Sequence, residues 1–207
     1  MQHLTALDDL YLDHAWATIG SFDGVHRGHQ AVIRRLVDGA HQAGVPAVVV
    51  TFFPHPSVVL RGSNGPFFLT TPEERAALLD ALGVDVVVTL RFDRQMAALT
   101  AEVFMRWLSA HLGLQRLFVG YDFALGRGRE GNTGRLRELG EQLGYALELT
   151  EPYEIGGEPV SSSRIRALLN RGNVSEVTEL LGRPYALSGE IVRGDGRGHG
   201  LGIPTAN

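Results

Sequence analysis

Two histidines three positions apart, His26 and His29, stand in the stretch "IGSFDGVHRGHQ" of residues 19–30. The preceding apolar run predicts a strand that ends near Gly20, and after a turn a helix is expected to begin near Arg27. The first turn of a helix presents free backbone N–H groups and a positive dipole end, which favour phosphate. Imidazoles there, as neutral donors or as imidazolium, stabilise charge on phosphate oxygens. The turn is therefore a candidate phosphate site.

Two other interpretations of the histidine pair stay open on the residues alone. A histidine beside a glycine-rich turn is often a hydrogen-bonded surface group. A zinc site would use His26 and His29 as two ligands, but no third ligand follows at a recognisable spacing and the chain has no cysteine. No residue is assigned as a metal ligand.

A second candidate phosphate site is the stretch "SSSRIR" of residues 161–166, which predicts the start of a helix. Its serines can cap free N–H groups or donate hydroxyls to phosphate. Ser162 and Arg166 are four residues apart and share one helix face. An arginine there can clamp a phosphate through two parallel hydrogen bonds, although a capped surface helix with a solvated arginine would have the same pattern.

Two further stretches follow apolar runs and could contact a ligand, the first through aromatic side chains and the second through polar and basic ones. In "TFFPHP" (51–56), prolines on both sides of His55 favour an extended backbone, and two phenylalanines could border a flat ring. In "GYDFALGRGREG" (120–131), an aspartate can accept hydrogen bonds, and two arginines among glycines form a basic loop. Core phenylalanines and an ordinary basic surface loop remain the alternative interpretations.

Composition excludes several classes of protein. The chain has 207 residues, a net charge of −4 without a run of like charges, and no cysteine. We therefore expect no nucleic-acid or membrane partner and no disulfide. The first ten residues lack the basic start and apolar core of a signal peptide, and no apolar segment approaches the ~20 residues that span a bilayer. These features predict a cytoplasmic protein of undetermined oligomeric state.

The elements that must position these residues alternate along the chain. The predicted strands are nearly continuous apolar runs at 15–20, 45–53, 84–90, 114–120 and 145–150. The predicted helices lie at 27–43, 72–82, 100–112 and 132–144. Apolar strands that alternate with helices are typical of a doubly wound, mostly parallel α/β sheet, in which ligands bind beyond the carboxyl ends of the strands.

The pattern changes near residue 183. Residues 183–207 are rich in glycine, predict strand and turn, and contain no helical pattern. We therefore expect one domain at 1–182 and the opening, or a truncated β segment, of a second domain at 183–207. So short a segment is not expected to bury a core of its own.

The motifs together resemble a known family. "HRGH" at 26–29 is similar to the HxGH signature of nucleotidyltransferases, and "GSFDGVHRGHQ" resembles the FMN adenylyltransferase module of bacterial bifunctional riboflavin kinase/FAD synthetases. The stretches at 51–56, 120–131 and 160–166 resemble that family's TFxPHP, GxDFxFGxGRxG and (I/V)SSTxIR motifs. The tail, from "GRPY" to "PTAN", resembles the start of the riboflavin kinase domain. Ser163, Leu125 and Phe53 depart from the usual threonine, phenylalanine and acidic residue.

The resemblance implies a Rossmann-like nucleotidyltransferase that makes FAD and pyrophosphate from ATP and FMN, with Mg²⁺ accompanying ATP. It implies catalytic roles for His26, His29 and Arg166. It implies ATP contacts from Gly20, Ser21, Phe22, Asp23, Gly24, Gly28, Ser162 and Ser163. It implies FMN contacts from Phe52, Phe53, Pro54, His55, Pro56, Asp122, Phe123 and Arg127.

The resemblance also concerns a second activity, the phosphorylation of riboflavin. Two alternatives to the adenylyltransferase function stay open. Thr205 and Asn207 match positions that riboflavin kinases use for metal and ATP, but the sequence ends before that family's catalytic glutamate. We therefore expect no conversion of riboflavin to FMN by this chain. The alternatives are a nucleotidyltransferase with another phosphate acceptor, such as a phosphopantetheine or a sugar or glycerol phosphate, and a flavin- or nucleotide-binding module without catalysis.

Overall fold

The computed structural model of the protein describes residues 1–8, 10–62, 68–190, 192 and 202. Its strands are β1 (Gln2–Leu4), β2 (Ala15–Ile19), β3 (Ala47–Phe53), β4 (Val86–Arg91), β5 (Leu114–Gly120), β6 (Ala124–Leu125), β7 (Gly131–Asn132), β8 (Ala146–Thr150), β9 (Glu154–Ile155) and β10 (Glu158–Pro159). Its helices are α1 (Arg27–Gln42), α2 (Pro56–Arg61), α3 (Pro72–Asp80), α4 (Arg94–Ala98), α5 (Ala101–Leu112), α6 (Thr133–Leu143), α7 (Ser162–Asn170) and α8 (Val174–Leu181). A short 3₁₀ turn covers Arg127–Arg129.

Six strands form one sheet in the order β1-β4-β3-β2-β5-β8, and every neighbouring pair is parallel. From β2 the chain moves outward through β3 and β4, and it then returns to place β5 on the other side of β2. The strand order therefore reverses between β2 and β5, which is where open α/β sheets bind ligands. The predicted doubly wound α/β fold is confirmed.

The sheet is covered on both faces, which explains why its inner strands β3 and β4 are almost continuously apolar. In β3, Val48 and Val50 belong to a core with the helices α5 and α6, whereas Ala47 and Val49 belong to a core with α1 and α3. A third cluster joins α7 and α8 to Leu69. This cluster holds the second predicted phosphate motif against the main domain.

The four predicted helices correspond to α1, α3, α5 and α6, and the predicted strands correspond to β2, β3, β4, β5 and β8. At the start of α3, the Thr71 side chain accepts a hydrogen bond from the Glu74 amide and the Glu74 side chain accepts one from the Thr71 amide. The edge strand β1, the two-residue strands β6, β7, β9 and β10, and the helices α2, α4 and α8 were not predicted. β1, α2 and α4 have at most six residues, too few to establish a periodic pattern.

Residues 184–190 form neither helix nor strand. Most of the predicted β segment, including Thr205 and Asn207, lies outside the described residues. Within the described part of the chain, none of the helices has the length and apolar character needed to cross a membrane.

Candidate active site

The histidine pair lies at the start of α1, directly after the turn that follows β2. His26 is the N-cap residue, and its Nδ1 accepts a hydrogen bond from the His29 amide at 3.2 Å. The two imidazole rings stack with their centroids 3.5 Å apart and an angle of 19° between their planes. Because Nδ1 of His26 is an acceptor, its proton is on Nε2. The expected helix start is confirmed, and the two rings form one unit.

Both imidazoles are neutral at neutral pH. Burial lowers the pKa of His26 from 6.5 to about 4, against the opposing effect of Asp23. Burial also lowers the pKa of His29 well below its usual value, and the neighbouring His26 adds to this shift. Of the two protonation states that the sequence left open, the structure favours the neutral donor.

Asp23 is fully buried and lines neither of the clefts described below. Its carboxylate accepts hydrogen bonds from the amides of Leu69 and Thr70 at 3.0–3.1 Å and forms an ion pair with Arg166 at 2.5 Å. Arg75 lies 4.0 Å away on another side. The ATP contact expected for Asp23 has no support in this geometry. The carboxylate instead connects the turn to α3 and α7.

Gly24, another expected ATP contact, is also buried against protein. Its φ angle is +81°, and a Cβ placed there would lie 2.8 Å from the Leu69 side chain. Its amide donates to the Thr70 hydroxyl at 3.1 Å. This glycine allows the turn to pack closely and does not line either cleft.

The helix α7 is attached to the same turn. Ser161 caps it by accepting a hydrogen bond from the Arg164 amide, and the Ser162 hydroxyl donates to the backbone carbonyl of Asp23 at 2.8 Å. The Asp23–Arg166 ion pair provides a second attachment. The two motifs that the sequence suggested for phosphate binding, at 26–29 and 161–166, are therefore brought together.

Two adjoining clefts meet at this point, and both are lined in part by His29 and His55. The first has a volume of about 540 Å³ and opens beyond the carboxyl ends of β2 and β5. Its walls are mainly aromatic and aliphatic: Phe22, Phe52, Phe92, Met96, Phe104 and Phe123. The second has a volume of about 690 Å³, and its lining includes the polar residues His26, Ser161, Ser162, Ser163, Arg166 and Asn170.

The remaining glycine-turn residues divide between the clefts. Gly20, Ser21 and Phe22 line the first cleft, although ATP contacts were expected of them. Gly28 lines the second cleft, next to the predicted phosphate residues. A Cβ at Gly28 would lie 3.2 Å from the His26 ring. This glycine therefore leaves room for His26 in its stacked position.

Only some residues of the stretch 51–56 line the two clefts. Phe52 faces the first cleft and contacts Phe92 edge-on at 5.6 Å between centroids. Phe53 points to the other face of β3 and lies against Phe68. Phe53 and Pro54 line neither cleft. An FMN contact from these two residues has no support in the geometry.

His55 and Pro56 do line the first cleft. His55 caps α2 by accepting a hydrogen bond from the Ser57 amide at 3.1 Å. Burial lowers the pKa of His55 to about 4, and the nearby cation Arg166 adds to this shift. A third neutral imidazole thus stands where the clefts meet.

The loop after β5 borders the first cleft through Asp122, Phe123 and Arg129. The Arg129 guanidinium donates to the Asp122 carbonyl at 3.1 Å. Arg127, which was expected to contact FMN, lines neither cleft, and its amide donates to the Leu99 carbonyl. Arg129 is therefore the arginine of this loop that can reach a ligand.

Several lining residues were not singled out from the sequence. Phe92, Met96 and Phe104 come from the loop after β4, from α4 and from α5, and their residue types are those of any core. Thr150 and Tyr153 line the second cleft from the segment after β8. The one feature of the sequence that could have identified these two residues is that they lie at or just after the carboxyl end of a predicted strand. Among the residues that the structure describes, no group of three or more potential ligands could hold a metal ion.

Comparisons with known proteins agree with this geometry. The family model described as FAD synthetase matches residues 10–164, and the one described as riboflavin kinase matches 181–207. A bifunctional riboflavin kinase/FMN adenylyltransferase of Escherichia coli K12 is 40% identical over 191 residues, which are 92% of this chain and 61% of that protein. One from Pseudomonas fluorescens is 38% identical over 100% of this chain and 67% of that protein. This chain thus spans about three fifths to two thirds of their lengths.

A solved structure has the same architecture over nearly the whole chain. It is titled a macrolide-efflux protein from Streptococcus pneumoniae, with a TM-score of 0.83 and 30% identity, and the match covers 99% of this chain and 67% of that one. The FAD synthetase match alone includes every strand of the parallel sheet from β2 to β8 and both histidines. This chain belongs to the FAD synthetase family.

Proposed function

We propose that the protein transfers the adenylyl group of ATP to FMN, which yields FAD and pyrophosphate. The observation that carries this proposal is the meeting of an aromatic cleft and a polar, arginine-containing cleft at the His26–His29 pair. A reaction between a flavin phosphate and a nucleoside triphosphate requires two such neighbouring sites. The names of the relatives agree with this reaction.

The first cleft suits the flavin. Phe52 and Phe123 offer apolar surface to a flat isoalloxazine ring. His29 stands where this cleft meets the second one, so a phosphate at the end of the ribityl chain would lie beside it. Arg129 and Asp122, at the rim, are available to the polar parts of the same ligand.

The second cleft suits the triphosphate. Arg166 and the hydroxyl of Ser163 are close to the free N–H groups at the start of α7, which together favour an anion. One nitrogen of Arg166 binds Asp23, so the guanidinium is oriented before ATP arrives. Mg²⁺ accompanies the triphosphate in this proposal. Phosphate oxygens and water supply most of its ligands.

The chemistry requires positioning more than proton transfer. The FMN phosphate is largely dianionic at neutral pH, since its second pKa is ~6, so an oxygen attacks the α-phosphorus without a general base. The bond from the α-phosphorus to the bridging oxygen breaks, and pyrophosphate leaves with the electron pair. The neutral imidazoles of His26 and His29 donate hydrogen bonds to the charge that develops. Arg166 stabilises the departing pyrophosphate.

Residues 1–182 form the catalytic unit in this proposal, and 183–207 begin a riboflavin kinase region. The test is incubation of the chain with FMN and MgATP, and separately with riboflavin and MgATP, with the products resolved by chromatography. FAD and pyrophosphate in equal amounts from FMN are expected. Pyrophosphate release with another phosphate acceptor but not with FMN would favour a different nucleotidyltransferase. Flavin binding without pyrophosphate release would favour a non-catalytic module.

A further inference from the structure

The turn that carries the histidine pair has strained backbone at two residues other than glycine. Phe22 has a φ angle of +45° and Val25 one of +39°, in a region that β-branched and bulky side chains rarely adopt. Such conformations persist only where surrounding groups hold them, and they cluster at functional sites. The groups that hold this turn therefore decide where the next residue, His26, lies.

Arg183 is one of these groups. Its Nη2 donates to the Gly24 carbonyl at 2.7 Å and its Nη1 donates to the Val25 carbonyl at 3.3 Å. These are successive carbonyls of the strained turn, and both residues are buried. A planar guanidinium can address two carbonyls at once, whereas a lysine ammonium keeps the charge without that fixed geometry.

The side chain of Gln30 also joins the strained turn to the end of α8. The Gln30 side-chain amide donates to the Val25 carbonyl at 2.9 Å and to the Leu181 carbonyl at 2.8 Å. Arg183 follows the end of α8 after a single residue, Gly182, whose φ angle of +71° turns the chain back toward the site. The end of α8 and the strained turn are thus tied by two side chains.

We propose that Arg183 is a positioning residue for adenylyl transfer, which fixes the turn at residues 22–25 and through it the His26–His29 pair. This inference rests on the proposed function. Arg183 lines neither cleft, so its proposed role is to hold the turn rather than to contact a ligand. It lies in the segment that the riboflavin kinase model matches, residues 181–207. That segment is therefore connected directly to the adenylyl transfer site, and a displacement of its first residues moves the histidines.

The experiment compares Arg183→Ala and Arg183→Lys with Arg137→Ala, which removes an exposed arginine of α6. Because small misplacements of catalytic groups lower rates strongly, we expect kcat for FAD synthesis to fall about 10- to 100-fold in Arg183→Ala. KM for ATP and FMN should change less than about threefold, since the binding groups remain. Arg183→Lys should retain more activity than Arg183→Ala, and ethylguanidinium should restore part of the loss in Arg183→Ala. Arg137→Ala should match the parent.

Hydrogen exchange measured by mass spectrometry gives a readout that does not depend on turnover. Arg183→Ala should exchange faster in peptides covering residues 20–30, with peptides of β3 and β5 unchanged. Unchanged exchange at 20–30, unchanged kcat, or a uniform rise in exchange over the whole chain would each overturn the positioning role. If the parent chain made no FAD, the proposed function would fail, and the exchange result alone would still decide whether Arg183 holds the turn.

Discussion

The two loops that follow the central strands β2 and β5 border the same cleft but are held very differently. The turn at 22–25 is buried and receives hydrogen bonds or ion pairs from three separate segments, at 69–75, 162–166 and 181–183. The loop at 121–130 is largely exposed, and Tyr121 at its start is 51% exposed. The Glu130 carboxylate in this loop accepts a hydrogen bond from the Ala101 amide, and the Arg127 amide donates to the Leu99 carbonyl.

The two loops therefore suit different roles: the buried turn holds catalytic groups in place, and the exposed loop controls the access of ligands to the cleft. Donors aimed at a developing charge act best when their position is fixed before the reaction, because no reorganisation is then needed. The buried turn meets that requirement for His26 and His29. A loop with few buried contacts opens at low free energy, which suits the entry and exit of ligands. We infer that the rate of chemistry depends on the first loop and flavin affinity partly on the second.

The largest effect is expected from His29→Ala. Removal of one preorganised donor typically costs about 10²–10³-fold in rate, so kcat for FAD synthesis should fall by that factor. FMN affinity, measured by flavin fluorescence, should change little, since the aromatic walls remain. His14→Ala, at an exposed histidine, is the matched control. A near-normal kcat in His29→Ala would exclude the charge-stabilising role.

Arg166→Lys should have the next largest effect, although it keeps the positive charge. A lysine cannot bind Asp23 and a phosphate with one planar group, so KM for ATP should rise roughly 10-fold or more, while FMN affinity stays constant. Arg171→Lys, at the exposed end of α7, should leave both unchanged. Weaker FMN binding with normal ATP binding would place Arg166 in the flavin site instead.

The exposed loop offers a matched pair of arginines two residues apart. Arg129→Ala removes a side chain that lines the first cleft, and Arg127→Ala removes one that does not. A typical hydrogen bond contributes about 0.5–1.5 kcal/mol, so KM for FMN should rise roughly 2- to 10-fold in Arg129→Ala and stay constant in Arg127→Ala. Equal effects of the two substitutions would show that only the charge of the loop matters.

The buried turn and the exposed loop also differ in how far the sequence predicts them. The apolar strands, the start of α1 and the start of α7 follow from local patterns, and the structure confirms all three. The position of Asp23 does not follow from a local pattern, because its partners Leu69 and Thr70 lie 46 and 47 residues away. The sequence also predicts the walls of the first cleft only in part. Phe52 and Phe123 were named as ligand contacts, but Phe92 and Phe104 were missed because they differ from ordinary core residues only in where the fold places them.

The smallest effect concerns stability at acidic pH, to which the buried turn should respond and the exposed loop should not. His26 has a pKa of about 4 in the folded protein and 6.5 as its usual value, so between these values the unfolded chain binds more protons. The free energy of unfolding therefore falls as the pH is lowered from 6.5 toward 4.

His26→Asn keeps a good N-cap but cannot titrate, so the free energy of unfolding of this variant should depend less steeply on pH over that range, as measured by urea unfolding. His14→Asn, at an exposed histidine, is the matched control. In hydrogen exchange at pH 5, peptides covering 20–30 should be protected better in His26→Asn than in the parent, relative to pH 7. Peptides covering 121–130, which contain no histidine, should not differ. Identical slopes for His26→Asn and the parent would mean that folding leaves the pKa of His26 unshifted, and the argument that burial keeps this imidazole neutral would have to be given up.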